Sequence, residues 1–168
     1  MKKRIKKYAF SQGIYLGLIL LLFINIFYFH NSASIMPGFN TYSILFMLVL
    51  LIYPIISIYN FHFPKTENIF KDYFSTAFII MFTALLITTF YSYFLYNWID
   101  SDLINHYVDL QYDKCLKNPN CDMSFEESLL LYKNEYFSIS GQLQSYVFAL
   151  IPCTLYSAII SLLMKIIK

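Results

Sequence analysis

Residues 8–64 read YAFSQGIYLGLILLLFINIFYFHNSASIMPGFNTYSILFMLVLLIYPIISIYNFHFP, 57 positions without a Lys, Arg, Asp or Glu. A hydrocarbon layer roughly 30 Å thick requires about 20 apolar residues per helical crossing, so this stretch is long enough for two. It is broken in the middle by HNSASIMPGFN (residues 30–40), where polar side chains, Pro37 and Gly38 supply turn chemistry. Two further uncharged runs, residues 73–99 and 136–164, each fit one crossing. A β-barrel would instead alternate apolar and polar positions over strands of about ten residues, and these runs do not alternate. The expectation is an all-α membrane protein: one integral domain with four transmembrane helices near 9–30, 41–60, 73–99 and 141–165.

Composition agrees with that reading. The 168 residues are 58% hydrophobic and 13% charged, with a mean hydropathy of +0.55, whereas an average globular chain is about half apolar and a quarter charged. Four glycines and five prolines are too few for a collagenous, low-complexity or Gly-rich phosphate-cradling chain.

Charge is divided unequally between the two sides of the four-helix scheme. One side carries Lys2, Lys3, Arg4, Lys6, Lys7, Lys65, Lys71, Lys165 and Lys168 against Glu67 and Asp72, a net +7. The other carries Lys114, Lys117 and Lys133 against eight acids in 100–135, a net −5. Lys and Arg near helix ends are retained in the cytoplasm, so a bacterial inner-membrane protein with both termini cytoplasmic is expected. The basic end is then a topogenic and lipid-headgroup feature, with no implication of nucleic acid. The basic start followed by Ser32-Ala33-Ser34 also resembles a cleaved signal peptide. Residues 13–29, however, outrun the 7–15 residues of such an apolar core, so a retained span is expected.

Within the spans, Gly13 and Gly17 form a GxxxG pair that admits a close helix, from this chain or from a partner. Pro54 and Pro152 each remove a backbone donor. The polar inventory of Asn25, Ser57, Thr83, Thr88, Thr89, Ser92, Thr154, Ser157 and Ser161 is of the kind that bonds back to helix backbone or to a neighbouring helix. An ion-coupled carrier would need ionisable side chains at the midplane. In the second loop Lys71 and Asp72 read as the solvated start of the third helix.

The segment 100–140 reads as a periplasmic helical hairpin lying on the membrane surface. Leu103, Tyr107 and Leu110 recur at helical spacing, as do Phe125, Leu129, Tyr132 and Tyr136. Ser124 and Glu127 have the spacing of a capping box. Its aromatic face either covers the rim of the bundle or docks a partner, with Glu126, Glu127 and Tyr132 as the contact residues. Cys115 and Cys121 flank the turn at a spacing a disulfide can close in an oxidising compartment; Cys153, inside the fourth span, reads as a packing residue. Asp100-Ser101-Asp102 offers too few ligands for a divalent cation, and His30, His62 and His106 fall in three different loops. No nucleophile-base pairing or metal-ligand motif is present, so neither catalysis nor a cofactor is expected.

The segments YAFSQGIYLGLILLL at 8–22, IFKDYFSTAFIIMFTALLITTFYSYFLYNWIDSDL at 69–103 and the final uncharged helix with its basic end resemble an uncharacterised family of short bacterial membrane proteins, domain of unknown function forty-one ninety-nine. The resemblance spans nearly the whole chain and implies no activity and no site residues. Members typically carry a Glu- and Met-rich helical insert between the last two spans, where this chain has its cysteine-bracketed turn. The function expected is that of a non-catalytic accessory or assembly subunit of an envelope complex, with an enzyme of polyprenyl-linked sugar or lipid chemistry as one candidate neighbour. Its partners would be membrane lipids and a membrane protein or a second copy. The alternative is a small transporter or permease component.

Overall fold

A computed structural model of the chain describes residues 3–36, 40–63, 69–117 and 124–167. In chain order these form α1 (Lys3–His30), a 3-10 turn (Ser32–Ile35), α2 (Thr41–Asn60) and α3 (Ile69–Phe94), which a π-helical turn (Leu95–Ile99) extends. Then come α4 (Asp102–Leu116), α5 (Phe125–Tyr132), a second π-helical turn (Lys133–Phe137) and α6 (Ile139–Ile167). No strand occurs among the described residues. α1, α2, α3 with its π turn, and α6 are each long and apolar enough to cross a membrane, which makes this a multi-pass membrane protein by length and composition.

The long helices outrun their uncharged cores. α1 has 28 residues and α6 has 29, each about 42 Å of helix against a hydrocarbon layer of about 30 Å. Lys3, Arg4, Lys6, Lys7 and Lys165 are therefore helical yet lie outside the uncharged cores.

The α3 helix is central, packed against α1 on one side and α6 on the other. Helices in lipid gain nothing from transferring apolar surface to one another, so close packing decides which pairs associate. α3 offers small side chains for that purpose: Thr76, Ala77, Thr83, Ala84 and Thr88 are all buried. α1 answers with Gly13 and Gly17, α6 with Ser157 and Ser161. Thr76, Thr88, Thr154, Ser157 and Ser161 each donate to a carbonyl three or four residues back in their own helix, so these hydroxyls cost nothing unpaired.

α2 is peripheral and is latched on by tyrosines. Tyr8 donates to the Ser57 carbonyl at 2.9 Å and Tyr53 to Gln12 Oε1 at 2.8 Å. Tyr156 of α6 donates to the Leu51 carbonyl at 2.8 Å, within the turn that Pro54 deprives of a backbone donor. Asn40 opens α2, its Oδ1 accepting from Ser43 N at 2.9 Å.

The core is layered along the bundle. Ile58, Tyr73, Ala77, Ile160 and Met164 fill the end near the termini, and Leu16, Leu20, Leu50, Met81 and Leu85 the middle. Ile24, Ile35, Leu95, Tyr96, Tyr107 and Phe137 fill the far end. One expectation is corrected here: Asp72 is not a solvated helix start but is buried, 6% exposed, because it sits in the first turn of α3 beside Tyr73 on the packed face.

Candidate functional site

The far end of the bundle is closed by α4 and α5, held through the two π-helical turns. A π turn adds a residue to the helical repeat and so rotates the next segment about the helix axis. In both turns the closing bond spans five residues: Asp100 N donates to Leu95 O and Ser138 N to Lys133 O, each at 2.9 Å. The turns face each other. Asn97 Nδ2 donates to Phe137 O at 2.8 Å, and the Tyr96 and Phe137 rings meet edge-on at 4.9 Å. Tyr96 also donates to the Ile35 carbonyl at 2.8 Å, tying in the 3-10 turn after α1. Gly141 lies where α6 passes under the second π turn; a Cβ there would collide with the Glu135 and Asn134 carbonyls. Ser138 caps α6, its Oγ accepting from Gly141 N at 3.0 Å.

On this base α4 lies with Leu103, Ile104, Tyr107 and Val108 buried. Leu110, seven residues on and within about 20° of Leu103 around the axis, is nevertheless 40% exposed, a correction to the sequence reading. At 100° per residue Asp102, Asp109 and Asp113 fall within about 40° of one another on the opposite side, and all three are exposed. Tyr107 is the hub of an aromatic cluster. Its ring lies 5.7 Å from Tyr132, 6.1 Å from Tyr136 and 5.3 Å from Phe137. Burial, with Tyr136 and Tyr132 beside it, holds the Tyr107 phenol above its ordinary pKa.

The sequence-predicted contact residues divide between roles. Glu127 closes the capping box of α5: its carboxylate accepts from Ser124 N and Oγ, both at 2.9 Å, while Ser124 Oγ accepts from Glu127 N at 3.3 Å. The backbone and side-chain bonds from Ser124 lower the Glu127 pKa. Tyr132 packs against Tyr107 and is half-buried, and Glu126 is exposed. Gly13 and Gly17 both face α3, where a Cβ on Gly13 would stand 2.6 Å from Thr83 Cβ and one on Gly17 2.8 Å from Ile87 Cδ1. That face is filled from within the chain, the first of the two alternatives the GxxxG pair left open.

Cys153 is buried and free. Cys115 is not a free thiol, and Cys121, its expected partner, lies outside the described residues. Asp100 of the D-x-D accepts from Tyr28 at 2.9 Å, while Asp102 is exposed in the first turn of α4. No group of three His, Cys, Asp or Glu that could hold a metal occurs among the described residues. Two polar pairs carry no sequence signal of their own: Tyr91 donates to Asn25 Oδ1 at 2.6 Å between α3 and α1, and Gln12 receives Tyr53.

The family described as "Protein of unknown function (DUF4199)" matches residues 11–165, and the chain belongs to it. No curated protein and no solved structure matches the chain.

Proposed function

We propose that this chain is an accessory or assembly subunit of a bacterial inner-membrane envelope complex and works by contact rather than by catalysis of its own. The observation that carries the reading is the two-sidedness of the α4–α5 cap. Its inner side is tied to the bundle by buried aromatics, while its outer side keeps Asp109, Asp113 and Glu126 exposed beside Leu116 (59% exposed) and Leu130 (63% exposed). Apolar side chains left open among acids outside the spans have the composition of a docking surface, where apolar contact supplies affinity and charge sets orientation. The partner is a membrane protein with a basic surface at the same level, or a second copy.

The orientation that accompanies this reading puts both termini in the cytoplasm and the cap in the periplasm. It is supported by the Lys and Arg split, since Lys3, Arg4, Lys6, Lys7 and Lys165 occupy the terminal turns of α1 and α6. In that compartment a Cys115–Cys121 bridge would brace the junction of α4 and α5.

The test is photocrosslinking in native membranes from a reactive residue placed at Leu130. A discrete polypeptide adduct, lost with Glu126→Lys and Asp109→Lys and weakened by salt, is the expected result. Glu127 is left intact because its reversal would damage the cap of α5. Adducts to lipid alone, with the chain monomeric by native mass, overturn the proposal and move the small-transporter reading to first place.

A further inference from the structure

At the end of the bundle that carries the termini, a groove of about 380 Å³ is lined by Lys6 of α1 and by Lys71, Phe74, Ser75, Phe78 and Ile79 of α3. Its chemistry is divided by depth. Both lysines are exposed, and neither is held by a hydrogen bond or ion pair among the described residues. Among the described residues no acid lines the groove; Asp72, next in sequence to Lys71, is buried and is not part of its wall. Two like charges from helices 65 residues apart are thus gathered at one mouth, an arrangement that repels itself until an anion lies between them. The positive-inside tendency explains lysines at this end of the bundle, but not their convergence on one groove.

Beyond the lysines the groove is walled by Phe74, Phe78 and Ile79, with Ser75 among them. Phe70, Phe74, Phe78 and Phe82 stand at four-residue intervals along α3, with successive rings 6.0–6.2 Å apart. Counted from Lys71 to Phe82 at 1.5 Å per residue the ladder descends about 16 Å, roughly the depth of one leaflet, and Phe74 and Phe78 are the rungs that line the groove. A free phosphate would use only the mouth, whereas a lipid uses both mouth and ladder.

We propose that this groove binds an anionic phospholipid. Its phosphate lies between the Lys6 and Lys71 ammonium groups with the Ser75 hydroxyl beside them, and one acyl chain runs along Phe74 and Phe78. Lysine serves phosphate as a point charge, and the apolar wall below excludes water that would otherwise screen the attraction.

Native mass spectrometry of the full chain in mild detergent, titrated with phosphatidylglycerol, tests the site. The pair Lys6→Gln/Lys71→Gln should weaken the first bound lipid about 10- to 30-fold, while Lys3→Gln/Lys165→Gln, with equal charge lost at the same end but outside the groove, should change it by less than about 2-fold. Ser75→Phe, which fills the groove without changing charge, should also abolish the first site. Glycerol phosphate should bind at least about 100-fold more weakly than the lipid, since it forgoes the acyl contacts. In lipid-free detergent the lysine variants should melt with the parent, and phosphatidylglycerol should raise only the melting temperature of the parent and the Lys3/Lys165 control. Equal losses in the two lysine pairs would reduce the binding to diffuse attraction and overturn the site. Glycerol phosphate binding as tightly as the lipid would show a phosphate site and overturn the lipid assignment. Neither outcome depends on whether the α4–α5 cap has a partner.

Discussion

Replacing Gly13 by Ala tests the α1–α3 seam, because one methyl group is sufficient to disturb it. The new Cβ would lie 2.6 Å from Thr83 Cβ and 3.0 Å from the Ile80 carbonyl. Neither atom is the end of a flexible side chain, so the helices themselves must separate by nearly an ångström to restore ordinary contact. Overpacking of this kind costs about 1–3 kcal/mol, set against a gain of up to about 1 kcal/mol for Ala over Gly in a helix. The net is a loss of about 1–2 kcal/mol for Gly13→Ala. At Gly17 the nearest atom is Ile87 Cδ1 at 2.8 Å, the rotatable tip of a side chain, with Ile87 Cβ at 3.2 Å. There the rotamer can yield, and strain and propensity nearly cancel, leaving Gly17→Ala within about 0.5 kcal/mol of the parent. Unfolding of the purified chain in mixed micelles of mild detergent and dodecyl sulfate measures both, and Gly13→Ala combined with Thr83→Gly should recover part of the loss. Equal stability of Gly13→Ala and the parent, or the reverse order of the two single variants, would refute this account of the seam.

For orientation, alkaline phosphatase fused after Asn118 should be active and fused after Glu67 inactive; activity at the second position would invert the bundle. Under oxidising isolation Cys115 and Cys121 should be bridged and Cys153 free, so intact mass should show a single alkylation without reductant; three would exclude the bridge. The capping box predicts a pH dependence for α5. Because the folded-state pKa of Glu127 is lowered, its stabilising contribution is complete above the ordinary carboxyl range and disappears as pH falls through the folded value. Amide exchange in residues 125–132, corrected for its intrinsic pH dependence, should lose protection on acidification in the parent, and Glu127→Gln should flatten that profile; an unchanged profile would remove the cap from the account.

The spans are legible from sequence because the bilayer imposes a length and a composition and asks nothing of long-range contact. Residues 41–60 can be bounded closely because the turn chemistry of 30–40 stops at one end and Pro64 follows the other. The capping box is legible for a similar reason: Ser124 and Glu127 complete each other within one turn. The face of α4 is misjudged when leucine and tyrosine alone are followed. Asp102, Asp109 and Asp113 mark its outer side, and Ile104, Tyr107 and Val108, opposite them, are buried together with Leu103 at the flank. The acids do not separate Leu110 from Leu103, which lie within about 20° of each other around the axis; what differs is their place along α4.

The features that sequence withholds depend on which helix meets which. The burial of Asp72 and the meeting of Lys6 with Lys71 both result from α3 being central, and its small-residue faces become informative only once α1 and α6 are seen against them. The tyrosines are a different omission. An inventory of Asn, Ser and Thr understates the polar content of the spans because it leaves out the tyrosines. Tyr8, Tyr53, Tyr91 and Tyr156 instead donate across helix pairs, to partners 41 to 105 residues away. A phenol combines an apolar ring with a donor that must be satisfied in hydrocarbon, so a buried tyrosine on one helix requires an acceptor on another. In a chain with 16 of them, that requirement does for α2 what small-residue packing does for α1 and α6: it fixes a helix that has little close packing of its own onto the bundle.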